Sequence, residues 1–231
     1  MAISHALGRR CFPHRDHLRV RSEVAPDGDV VGGGGEHAQR RERTLTEDRY
    51  LGRLRSMTQQ PPAVPAETAD WTFVIGMGCQ QCGFSAQDVE STGDRLRATI
   101  PFWRESLSRE DASQRPEPTV WSPVEYACHV RDTCRIFRER LELMLREDDP
   151  TFANWDQDVT AVKADYFHQV PTEVADQLAA EAEATAAAFD GVKSDQWDRP
   201  GRRSNGSLFT VKTFAIYFLH DIEHHVHDVT R

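Results

Sequence analysis

The sequence predicts an all-α fold: a four-helix bundle that follows a disordered N-terminal extension. Three observations carry this. Stretches beyond residue 85 place apolar residues at helical spacing, and the links between them are polar and rich in turn formers. No stretch alternates as a half-buried strand does, so no sheet is expected.

Residues 1–65 do not read as a folded unit. They hold the run Gly32–Gly35, scattered arginines and the Pro-rich stretch from Gln59 to Glu67. Thr44–Leu54 has a helical pattern but is too short to stand alone. So little apolar surface cannot offset chain entropy. A second reading is that this Arg-rich stretch precedes the true start at Met57 and is a mis-annotated extension. The folded domain is then 66–231.

The first bundle helix is expected over Ala86–Ser108, where Val89, Leu96, Ile100, Trp103 and Leu107 fall on one side and Pro101 should kink or interrupt it. The strongest helix start is Ser122-Pro123-Val124-Glu125, in which a capping serine, a first-turn proline and a glutamate three residues on form a capping box. That helix should run to about Arg146, with Val130, Cys134, Phe137, Leu141, Met144 and Leu145 as its apolar stripe. Val159–Phe167 has some helical character. The third long helix spans about Thr172–Phe189 and ends at Gly191, and the last runs from about Val211 to Val229 with Thr210 as cap.

Charge and composition exclude several function classes. The net charge of −9 is uneven: residues 1–56 sum to +3 and residues 57–231 to −12. A domain that acidic has no excess of cations for a nucleic-acid backbone or an anionic membrane. No apolar run is long enough to cross a bilayer, and the N-terminus lacks the apolar core of a secretory signal. The five cysteines are too few for a disulfide scaffold, and an odd count without a signal points to the cytoplasm. The expected partner is a small-molecule substrate, with a homodimer through the bundle faces as a further arrangement.

Histidines carry the chemistry. Four of the ten lie within eight residues, at His220, His224, His225 and His227. His220 and His224 are four apart and share one helix face, so both imidazoles can reach one metal. A third ligand is needed, and His129, one turn beyond the capping box, is the candidate. The plain alternative is a polar helix end that favours histidine for dipole reasons.

The segment Trp121–Asp132 (WSPVEYACHVRD), followed by Phe218–Val229 (FLHDIEHHVHDV), resembles the DinB-like (DinB/YfiT) metalloenzyme superfamily. The resemblance covers roughly residues 85–230. It implies a four-helix bundle holding one divalent metal through His129, His220 and His224, with Trp121, Ser122 and Glu125 matching the helix start. The superfamily includes mycothiol-dependent maleylpyruvate isomerase and related thiol S-transferases. In the isomerase branch the first residue of the last pair is glutamate, where this chain has His220, which favours the three-histidine branch.

The chemistry implied is Lewis-acid activation of a low-molecular-weight thiol such as mycothiol, or of water. Zinc is the first choice of metal, and nickel or iron accepts the same ligands. Usage of 25 Arg against 3 Lys hints at a GC-rich genome, in keeping with a mycothiol user. The rival function is a non-catalytic metal-binding or stress-linked interaction protein.

Other residues keep open readings. Asp132 and Asp221 could orient a ligand imidazole or lie as solvated helix carboxylates. His227 could line the pocket, while His225 reads as surface or interface. Asn154-Trp155-Asp156 could shape a lid, and Arg202 and Arg203 read as a solvated loop or a contact for an anion. The pair Cys79-x-x-Cys82 is a redox dithiol, part of a site completed by distant ligands, or a tight turn with inert thiols.

Overall fold

A computed structural model describes residues 62–85 and 88–231. The expected extension, the helical pattern at Thr44–Leu54 and the alternative start at Met57 lie outside the described residues.

The bundle is built from α2 (Thr92–Ser108), α3 (Pro123–Arg146), α5 (Pro171–Asp190) and α6 (Val211–Thr230). Shorter helices are α1 (Val74–Met77) and α4 (Gln157–Lys163). The long helix α5 packs on both α2 and α3, and α6 closes the ring against the same two. Consecutive α2 and α3 are therefore diagonal partners rather than neighbours. The core between them includes Leu96, Trp103, Val130, Leu141, Met144, Leu178, Ala182, Phe214, Phe218 and Leu219.

The capping box forms as the sequence requires: Ser122 Oγ accepts from the Glu125 N–H, and Glu125 Oε2 accepts from the Ser122 N–H at 2.9 Å. Glu125 is buried, and Arg115 grips its carboxylate with Nε and Nη2. Asp88 caps a single 3₁₀ turn, Val89–Ser91, that leads into α2. Pro101 does not interrupt α2. It sits on the exposed side, and helix packing through Leu96 and Trp103 compensates for the one backbone bond that proline cannot make.

A small sheet departs from the expectation. Strands β1 (Thr151–Phe152), β2 (Pro200–Arg203) and β3 (Leu208–Thr210) pair in the order β1-β2-β3, parallel then antiparallel. The Asn205-Gly206 turn closes the β2–β3 hairpin, with Gly206 at φ +100°. Segments of two to four residues are too short to show alternation, so this pairing has no periodic signature. The sheet closes one end of the bundle through Phe152 and Phe209, whose rings reach Phe214 of α6. Arg202 pairs with Asp149, and Arg203 lies over the rings of Phe209 and Tyr217, so neither is a free anion contact.

Among the described residues no helix is long and apolar enough to cross a membrane.

Candidate metal centres

Helix α6 carries two ligand pairs, one residue out of step. His220 and His224 form one, and Asp221 and His225 the other. A step of about 100° per residue aims them at different neighbours. Among the described residues two groups of donors gather within 4.8 Å: His129 with Asp221 and His225, and Cys79 and Cys82 with His220 and His224. The three histidines singled out by the sequence are thus all in donor groups, but His129 is not in the same one as His220 and His224.

In the first group, His129 Nε2 lies 3.2 Å from Asp221 Oδ1, and His225 Nε2 lies 3.8 Å from the same oxygen. Donors held tetrahedrally on one zinc at imidazole and carboxylate bond lengths stand about 3.4 Å apart, so these fit a shared cation. His225 Nδ1 lies 3.1 Å from Asp228 Oδ2. A proton on Nδ1 directed to that carboxylate leaves the Nε2 lone pair free to face Asp221 and His129. Asp221 is therefore a donor of this group, and His225 is not a bystander on the surface. Burial would raise the Asp221 carboxyl, but the facing imidazoles of His129 and His225 hold it below the usual carboxylate range. His129 is fully buried on α3, where Trp155 stacks on its ring at 5.3 Å and Trp121 lies 5.6 Å away.

In the second group, Cys79 Sγ lies 3.7 Å from His224 Nδ1. The buried His220 Nε2 has no hydrogen-bond partner among the described residues. A buried imidazole nitrogen without a hydrogen-bond partner, on a ring grouped with two cysteines, has a lone pair or proton left unsatisfied. Burial, with repulsion from His224, pushes the His220 imidazole down to about 4, and burial lowers His224 too. Both rings are neutral at pH 7, the form that binds metal. Burial pushes the Cys82 thiol up to about 11. The turn is shaped by Gly78 (φ +67°) and Gly83 (φ +78°), with the Cys79 N–H donating to Phe84 O at 2.8 Å and the Gly83 N–H to Cys79 O at 2.9 Å. All of Cys79, Cys82, Cys128 and Cys134 are free thiols.

A cavity of about 240 Å³ adjoins both groups. Trp71, Trp121, Tyr126 and Tyr217 supply its aromatic walls, and Glu67, Asp158, Asp221 and Asp228 its carboxylates. Its described lining includes no Lys or Arg. Burial raises the Asp158 carboxyl above its ordinary value.

The other residues are accounted for. Asp132 accepts from the Tyr166 hydroxyl at 2.6 Å and from Arg131, so it is a buried structural acceptor and not a partner of an imidazole. His227 lies beside Arg231, and His168 pairs with Asp165. Trp155 covers His129 as a lid residue would, anchored by its Nε1–H to Thr160 Oγ1 at 2.7 Å. What spacing missed was the Asp221–His225 pair and the role of Trp71. Its ring lies 5.3 and 5.1 Å from those of His220 and His224. The i, i+4 signal of Asp221–His225 was present in the sequence, but spacing cannot say which of two overlapping pairs faces α3.

The DinB superfamily matches the chain over residues 94–229. No curated protein matches it. Among solved structures it is similar in fold to YfiT from Bacillus subtilis, described as a probable metal-dependent hydrolase with an unusual four-helix bundle topology. The TM-score is 0.53 at 15% identity, over 73% of this chain and 90% of that one.

Proposed function

The chain belongs to the DinB superfamily, and from that footing we propose that it is a metal-dependent enzyme that activates a small neutral thiol for S-transfer. The observation that carries this reading is the convergence of His129 Nε2, Asp221 Oδ1 and His225 Nε2 beside an aromatic cavity. Three protein donors leave a position for a substrate atom, as catalytic sites require. Zinc is the metal we assign, since two imidazoles and a carboxylate suit it. His129 is a ligand of this centre, while His220 and His224 belong with the cysteines.

His129, Asp221 and His225 would hold a divalent cation, whose Lewis acidity would let a bound thiol or water ionise near neutral pH. The protein's residues do the rest. Asp228 holds the His225 tautomer through Nδ1. Trp155 and Trp121 cover the buried side of His129 and keep water from it. Asp158, with its raised carboxyl, is placed in the cavity wall to take up the proton that the thiol loses. The thiolate sulfur would then bond to an electrophilic carbon of the second substrate as that carbon's bond to its leaving group breaks, the leaving group departing with the electron pair and taking up a proton from solvent. The acidic, aromatic lining disfavours an anionic substrate and suits a neutral thiol of the mycothiol class. A second reading, activation of water for hydrolysis, rests on the same open position.

The test is turnover by metal-loaded protein, with mycothiol and other small thiols against electrophiles, and with ester and amide panels alongside. Thiol conjugation should fall in Asp221→Asn and His225→Ala by at least the ~10–100-fold that losing even an outer partner of a metal ligand costs. Ester or amide turnover without thiol dependence supports the hydrolytic reading. No turnover in either panel by fully loaded protein makes the chain a binding protein and overturns the proposal.

A further inference from the structure

We propose that Cys79, Cys82, His220 and His224 form a second, closed metal site: a tetrahedral zinc centre that fastens the chain ahead of the bundle to its last helix. One ligand atom from each of the four donors lies within 4.8 Å of the others. Their order, two cysteines with two residues between them and then two histidines with three between them, is the ligand spacing of structural zinc sites.

One sulfur–nitrogen separation has the value that a shared zinc requires. A sulfur and a nitrogen bound tetrahedrally to one zinc stand about 3.6 Å apart. Cys79 Sγ and His224 Nδ1 are 3.7 Å apart. His224 turns its other nitrogen towards Asp228 Oδ1, 3.7 Å away. The same carboxylate thus backs imidazoles of both centres, with Oδ2 on His225. His220 is 3% exposed, and its Nε2 has no partner among the described residues. A buried nitrogen left unpaired is costly, and a metal bond removes that cost.

The turn that carries the cysteines is built for this. Gly78 and Gly83 take positive φ on either side of the pair. A side chain at Gly78 would collide with the Phe84 carbonyl. Trp71 and Phe84 cover the imidazoles, with the Phe84 ring 5.4 Å from His220 and nearly perpendicular to it. A metal with four protein ligands keeps no open position for a substrate, so the role of this site is structural.

Charge permits both centres to be filled. Two thiolates cancel the charge of one divalent ion, so the closed site is neutral and does not repel a second cation beside it. An inert turn or a redox dithiol does not account for two buried imidazoles gathered beside the sulfurs.

The experiment uses the full chain, loaded with zinc and separately with cobalt(II). Metal analysis should give two equivalents. X-ray absorption of the zinc form should show sulfur in the coordination shell, and the cobalt form should show a thiolate charge-transfer band. Cys79→Ser with Cys82→Ser should remove one equivalent and both sulfur signatures. Asp221→Asn with His225→Ala should remove the other equivalent and leave those signatures intact. If the serine variant does not fold, the sulfur signal of the unaltered chain decides alone. Zinc with only nitrogen and oxygen neighbours, or a serine variant that keeps both equivalents, overturns the proposal. One sulfur-ligated equivalent alone upholds it and removes the basis of the catalytic reading. One equivalent without sulfur does the reverse.

Discussion

The Arg115–Glu125 pair and the imidazole of His220 show how burial converts side-chain chemistry into stability. The Arg115 guanidinium meets the Glu125 carboxylate inside the fold, the two side chains being 9% and 2% exposed. Removing one partner strands a buried charge. Arg115→Ala should therefore cost roughly 3–5 kcal/mol in denaturant unfolding, far beyond an exposed pair such as Arg135–Glu139. His220 gives a pH dependence. Its folded imidazole titrates at about 4 against an ordinary 6.5, with burial the first cause. Between those values the unfolded chain binds a proton that the folded chain refuses, so stability falls as pH drops through that window. His224 is shifted in the same direction. Metal-stripped protein should accordingly lose stability from about pH 6.5 down towards 4, and hold it above. Urea midpoints measured across that range check the sign.

At the scale of elements, α6 does most of the work. It begins at Thr210, whose Oγ1 accepts from the Thr213 N–H at 3.2 Å, directly after β3. Thr210→Ala should cost about 1 kcal/mol of stability and leave the metal content unchanged, which thermal unfolding and metal analysis would show together. The apolar stripe of α6 through Phe214, Phe218 and Ile222 fixes its rotation in the bundle. That rotation presents Asp221 and His225 to His129 on α3, and His220 and His224 to the cysteine turn. The bounds of α3, α5 and α6 were legible because capping residues and helical periodicity are local signals. The small sheet was not, because β1 and β2 meet across some fifty residues and each is shorter than one period of evidence.

For the whole molecule, the cysteine turn decides how the chain ahead of α2 is held. The short helix α1 packs on α6, and Arg231 at the end of α6 reaches the Gln81 carbonyl. A zinc ion bound there only in the folded state would stabilise the fold by about 4 kcal/mol at a thousandfold excess over its dissociation constant. Chelation should then lower Tm by about 10 °C for a chain of this size. In the double serine variant the shift should be smaller by the contribution of the closed site.

By itself the sequence determined the helices, the family resemblance and the histidines that merit attention, because caps, apolar periodicity and i, i+4 spacing are properties of neighbouring residues. Which imidazole faces which partner was decided only by tertiary structure. Cys79 and His224 are 145 residues apart, and His129 and Asp221 are 92 apart. A one-residue offset on α6 turns a donor by about 100°, and only packing against α2, α3 and the cysteine turn fixes that angle.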